Sequence, residues 1–85
     1  MKDIDFHESQ EKIINYFGFQ DRCIKLAEEM AELFKAIQLG DVENIKEEIA
    51  DNYVVIYQMM LFFGFDEQMS IARKKVHRTI DRCEL

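Results

Sequence analysis

Apolar residues along the chain recur at helical intervals, with polar residues filling the gaps. Leu26, Met30, Leu33 and Ile37 stand at offsets 0, 4, 7 and 11, which places them on one face of a helix. A second series, Ile45, Ile49, Ile56, Met60 and Phe63, does the same further on. Val54, Val55 and Ile56 alone would suit a strand, but the apolar positions continue at helical period into Met59, Met60 and Phe63, so the run reads as helix. There is no proline, and the three glycines fall at 18, 40 and 64, where a helix C-terminus favours a residue that tolerates positive φ. The pattern predicts an all-α chain of four helices over 5–17, 20–39, 42–63 and 66–83, with Asp41 and Asp66 as N-caps.

The third segment is apolar around much of its circumference, since Val54, Val55, Tyr57, Met59, Leu61 and Phe62 add to its stripe. Three neighbours from the same 85-residue chain cannot cover such a helix, so it is expected at the centre of a subunit interface in an oligomeric helical bundle. Chain length argues the same way, because a lone domain of this size buries only about 60–65% of the surface its unfolded chain exposes. Met59 and Met60 read as core or interface filler.

Composition narrows the function. At 48% hydrophobic and 33% charged the chain is no disordered segment, and one domain exhausts its length. The most apolar stretch, Tyr53 to Phe65, has thirteen residues, short of the ~20 that cross a bilayer. The formal charge is −6 and unevenly placed: residues 1–65 hold six Lys and Arg against thirteen Asp and Glu, whereas 66–85 hold five against four. An acidic body with a basic last helix argues against duplex DNA as the main partner, since phosphate backbones demand an extended cationic surface. Two cysteines, Cys23 and Cys83, without paired spacing or a secretory leader, suggest reduced thiols in a cytoplasmic protein.

Within the acidic body two motifs stand out. Glu28, Glu29 and Glu32 form E-E-x-x-E, and Glu48 with Asp51 forms E-x-x-D. Acidic pairs at this spacing are usually solvated helix faces, and Asp5/Glu8, Glu8/Glu11 and Asp81/Glu84 are further examples. Geometry separates the two motifs from these. In an antiparallel hairpin turning at Gly40, Glu32 and Glu48 are each eight residues from the turn, and Glu29 and Asp51 each eleven. The four carboxylates then meet at two levels, roughly 12 and 16 Å from the turn. Glu48 and Asp51 also continue a stripe through Val55, Met59 and Phe62 that becomes wholly apolar. Four like charges in a partly buried site call for raised pKa values or a cation, and all-oxygen ligation suits Mg²⁺ or Mn²⁺. A di-iron centre would need Glu-x-x-His, and neither His7 nor His77 has a glutamate three residues before it.

The run Lys25-Leu26-Ala27-Glu28-Glu29-Met30-Ala31-Glu32-Leu33, followed by Glu47-Glu48-Ile49-Ala50-Asp51, resembles the signature of the MazG-like, all-α nucleoside triphosphate pyrophosphohydrolases. Tyr16-Phe17-Gly18 with Gln20 looks like that family's entry into its second helix, and Lys75, Arg78, Thr79 and Arg82 look like the basic tail of short, phage-type members. The resemblance implies a single MazG-like domain over 1–85. It also implies Mg²⁺-dependent hydrolysis of a (deoxy)nucleoside triphosphate at the α–β phosphate bond, and assembly as a homodimer or homotetramer. Glu29, Glu32, Glu48 and Asp51 match the family's metal ligands, Glu28 matches the additional signature acid, and Lys75, Arg78 and Arg82 would meet phosphates.

Other residues have plainer roles. Lys25 precedes Glu29 by four and is expected in an intrahelical ion pair. Phe6, Tyr16, Phe17 and Phe19 are expected in the core, His77 in solvent, Cys23 in the core and Cys83 at a frayed end. Two other functions fit the same residues: a nucleotide-binding module with little turnover, and a structural oligomerisation protein whose acids lie on the surface.

Overall fold

The computed structural model describes residues 4–85; the first three residues of the expected 1–85 domain lie outside this range. Four helices follow one another, α1 (Phe6–Phe17), α2 (Phe19–Leu39), α3 (Val42–Phe63) and α4 (Phe65–Cys83). Asp5 caps α1, its side chain accepting from the Glu8 N–H at 2.8 Å, and Asp41 caps α3 by accepting from the Asn44 N–H at 3.2 Å. Gly40 is left-handed at φ 68°; its N–H reaches the Ile37 carbonyl and the Asp41 N–H reaches that of Ala36, which closes α2 and reverses the chain.

Asp66 is not an N-cap. The α3–α4 junction is one residue, Gly64 at φ 93°, and α4 starts at Phe65 without a side-chain cap. Asp66 and Glu67 lie in its first turn, where carboxylates favour the positive end of the helix dipole. Gly18, at φ 86°, joins α1 to α2 in the same abrupt way.

The α2–α3 hairpin is the main packed unit; α1 lies against both of its helices, and α4 packs on α3, meeting α1 only where the Phe65 ring stands edge-on to His7. The best-buried residues are largely polar. Only Ala36 and Val55 are buried apolar side chains among the described residues, whereas Gln10, Arg22, Glu29, Asn52 and Gln58 are buried polar ones. They satisfy one another. Gln58 Nε2 donates to Gln10 Oε1 at 2.7 Å, Gln10 Nε2 donates to the Val54 carbonyl at 3.0 Å, and Arg22 Nη1 donates to Gln58 Oε1 at 3.3 Å. This chain links α1, α2 and α3 through groups that would be costly to bury unpaired.

Aromatic packing fixes the rest. Tyr57 gathers Phe6, His7 and Phe65 at the α1–α3–α4 junction, and Phe19 meets Phe62 and Phe63 edge-on. The Tyr57 hydroxyl pairs with His7 Nδ1 at 2.6 Å, and His7 Nε2 lies 3.2 Å from Glu11. Burial and then the neighbouring Tyr53 hold the Tyr57 phenol above its usual pKa, so it remains a hydroxyl at neutral pH. None of the four aromatics expected in the core is buried: Phe6, Phe17 and Phe19 pack by one side and remain partly exposed, because one chain does not cover their outer faces, and Tyr16, on the outer side of α1, is exposed and meets the ring of Phe17.

Much apolar surface is left outside. On α2, Met30 and Ile37 of the expected stripe are more than half exposed, because the helix packs instead along Arg22, Glu29 and Ala36, seven residues apart. Ile49, Tyr53, Ile56 and Phe63 are exposed on α3, and α4 has no buried residue. The radius of gyration is 15.3 Å; a compact domain of this length has about 12 Å.

Candidate metal centre and adjoining pocket

Asn52 sets the geometry of the acid cluster. Its buried amide donates both to the Glu29 carbonyl of α2, at 2.9 Å, and to the Glu48 carbonyl one turn back on α3, at 2.7 Å. The two ligand-bearing turns are thereby held side by side at the backbone. From them Glu29, Glu48 and Asp51 each bring an oxygen to within 4.8 Å of the others.

The three carboxylates differ in surroundings. Glu29 is buried, Glu48 half-buried and Asp51 open to solvent. One Glu48 oxygen, Oε2, is enclosed without a hydrogen-bond partner among the described residues. Burial above all, then the charges of Glu29 and Asp51, a bond to Glu29 and the more distant charge of Glu32, push the Glu48 carboxyl above its usual range. Lys25 Nζ answers part of this charge, lying 3.1 Å from Glu29 Oε1, as the i,i+4 spacing leads one to expect. The bond to Glu29 and its charge in turn raise the Lys25 pKa.

A cavity of about 370 Å³ opens beside the cluster. Glu29, Asp51, Lys25 and Arg22 line its charged part, and Ile13, Phe17, Val54, Val55 and Gln58 the remainder. Arg22 is locked there. Its guanidinium donates to Asp21 through Nε, at 2.9 Å, and through Nη2, donates to Gln58 through Nη1, and lies 4.2 Å from the centre of the Phe17 ring.

Of the expected ligands, Glu32 lies outside the group of three. It is exposed and reaches Glu48 only through its charge. A three-residue step turns a helix by about 300°, so Glu32 sits roughly 60° off the Glu29 line that packs on α3. Glu28 is exposed, and its charge acts on Lys25. Lys75, Arg78 and Arg82 are exposed on α4, and no α4 residue lines the cavity of the same chain. His77 and Cys83 are exposed as expected, and Cys23 is half-buried.

Arg22, Asn52 and Gln58 are site residues that hydrophobic patterning passes over. A signal exists for two of them: Arg22, Lys25 and Glu29 stand at offsets 0, 3 and 7, and Gln58 is a polar residue seven beyond Asp51 in an otherwise apolar run.

These residues fit a divalent cation. Three carboxylates offer only oxygen, the donor set of a hard ion. The enclosed Glu48 oxygen is a buried acceptor that a cation or a proton would satisfy. Among the described residues, no helix is long and apolar enough to cross a membrane.

The family model of the MazG nucleotide pyrophosphohydrolase domain matches residues 18–83, from the start of α2 to the end of α4. Neither the curated proteins nor the solved structures yield a match. The matched span contains all three clustered carboxylates.

Proposed function

The chain belongs to the MazG nucleotide pyrophosphohydrolase family, and from that premise we propose that it hydrolyses a (deoxy)nucleoside triphosphate between the α and β phosphates, using Mg²⁺ or Mn²⁺. The supporting observation is the convergence of Glu29, Glu48 and Asp51 at the mouth of a cavity that also contains Lys25 and Arg22. Those three carboxylates would hold the ion, and the exposed Glu32 would join them by turning inward. An ion held there supplies charge neutralisation to the polyphosphate and Lewis acidity toward water.

The side chains do the positioning. Asn52 fixes the two ligand-bearing turns, Glu28 orients the attacking water, and the wall of Ile13, Phe17, Val54 and Val55 excludes bulk solvent from the bound nucleotide. Lys75, Arg78 and Arg82 share one face of α4 and would meet phosphates in the site of a second copy. The assembly is a homodimer, able to pair again into a homotetramer. Its support is the exposed apolar stripe of α3, the uncovered α4 and the expanded radius of gyration. A nucleoside triphosphate substrate supports a cytoplasmic location.

The test is a panel of canonical and modified triphosphates incubated with Mg²⁺, with products separated by chromatography. Monophosphate with pyrophosphate is expected. Diphosphate with orthophosphate would refute the bond assignment, and tight nucleotide binding without product would identify a binding module instead.

A further inference from the structure

Two cations line the cavity, and they are held very differently. Arg22 is gripped by Asp21, Gln58 and the Phe17 ring, and its side chain is 10% exposed. Lys25 is 43% exposed, and its ammonium has one partner among the described residues, Glu29. Glu29 is also one of the three carboxylates that converge. A cation shared by those carboxylates would sit within a few ångströms of the Lys25 ammonium, close enough for like charges to repel even through partial screening by water. A lysine on a flexible four-carbon stem, tied by a single contact, yields before a locked arginine does.

We propose that Lys25 is an exchangeable counter-ion of the acid cluster: its ammonium and a divalent cation compete for Glu29, and the displaced ammonium turns to the phosphates of the anion bound in the same cavity. The first half stands on the ion pair and the cluster alone. The second half rests on the nucleotide reading above. Together they make Lys25 a positioning residue that couples two ligands. Lowering ion affinity in the free protein and raising anion affinity in the ion-bound one are two sides of a single linkage, so ion and polyphosphate each favour the other beyond their direct contact.

Titration calorimetry with Mn²⁺ alone tests the first half on the full chain, comparing wild type, Lys25→Met and Lys25→Arg, with circular dichroism verifying that each is folded. Lys25→Met is expected to bind Mn²⁺ about threefold to tenfold more tightly than wild type, and the charge-conserving Lys25→Arg to stay near wild type. With Mn²⁺ saturating, inorganic pyrophosphate serves as the anion, and here the order reverses: Lys25→Met binds it several-fold more weakly. Equal or weaker Mn²⁺ binding by Lys25→Met overturns the competition while leaving the metal centre and the proposed hydrolysis intact. Undiminished pyrophosphate binding overturns the transfer to phosphate. No Mn²⁺ binding by any of the three overturns this inference and the metal-dependent reading together.

Discussion

At Glu48, burial and three neighbouring carboxylates act in one direction, toward protonation. The folded chain therefore holds more protons than the unfolded chain in the interval between the folded and unfolded pKa values of this group. Stability without a divalent ion falls as pH rises through that interval, and the Glu48 contribution is most favourable on its acid side. A divalent ion needs the deprotonated carboxylate, so its affinity rises with pH over the same interval. Glu48→Gln keeps the shape and removes the charge. In chelator, thermal melts of this variant should rise by a few degrees relative to wild type, while the upward shift caused by Mg²⁺ should vanish and hydrolysis should drop by about 100-fold or more. A variant that melts lower in chelator and still responds to Mg²⁺ would show that Glu48 is no ligand.

At the level of helices, the hairpin depends on Asn52, whose amide satisfies two carbonyls on two elements. Replacing it with leucine of similar volume removes both bonds, for a loss of about 1–3 kcal/mol in denaturant unfolding. Mn²⁺ affinity should fall as well, because the turns bearing Glu29 and Glu48 are freed to slide. Most of this level was legible beforehand. Periodicity and three glycines located all four helices, and equal spacing from Gly40 brought Glu29, Glu48 and Asp51 together. The start of α4 was misplaced because the capping rule looks for a side chain, whereas Gly64 lets the helix resume at once. Counting residues from the turn gives height along a helix but not rotation about it, which is why Glu32, level with Glu48, stands outside the group of three. The polar interior was barely legible. Spacing hints at Arg22 and Gln58 but not at Gln10, an amphipathic rule turns all three toward water, and their mutual bonds across three helices hold them inward.

For the molecule as a whole, the separation of the acids from the α4 cations is decisive. Glu29, Glu48 and Asp51 line or adjoin one cavity, and Lys75, Arg78 and Arg82 stand away from it on a helix that contributes nothing to its lining. If each site draws its α4 cations from the other copy, two inactive variants will complement. Glu48→Gln mixed in equal amounts with Arg78→Ala, after brief dissociation and reassociation, should recover about one quarter of wild-type activity in a dimer, since half of the pairs are mixed and each mixed pair has one intact site. No recovery would place both groups in the same subunit's site.

The scarcity of enclosed hydrocarbon has a calorimetric consequence. Heat capacity on unfolding comes chiefly from newly wetted apolar groups, and among the described residues Ala36 and Val55 are the only apolar side chains almost fully withdrawn from water within one chain. A dilute sample should therefore give a broad, shallow endotherm with a small heat-capacity step. As concentration rises and copies cover one another's α2, α3 and α4, the endotherm should sharpen, its step should grow and its midpoint should climb with the logarithm of concentration. A midpoint indifferent to dilution would mean that the lone chain holds itself together through its polar network and aromatic contacts without a second copy.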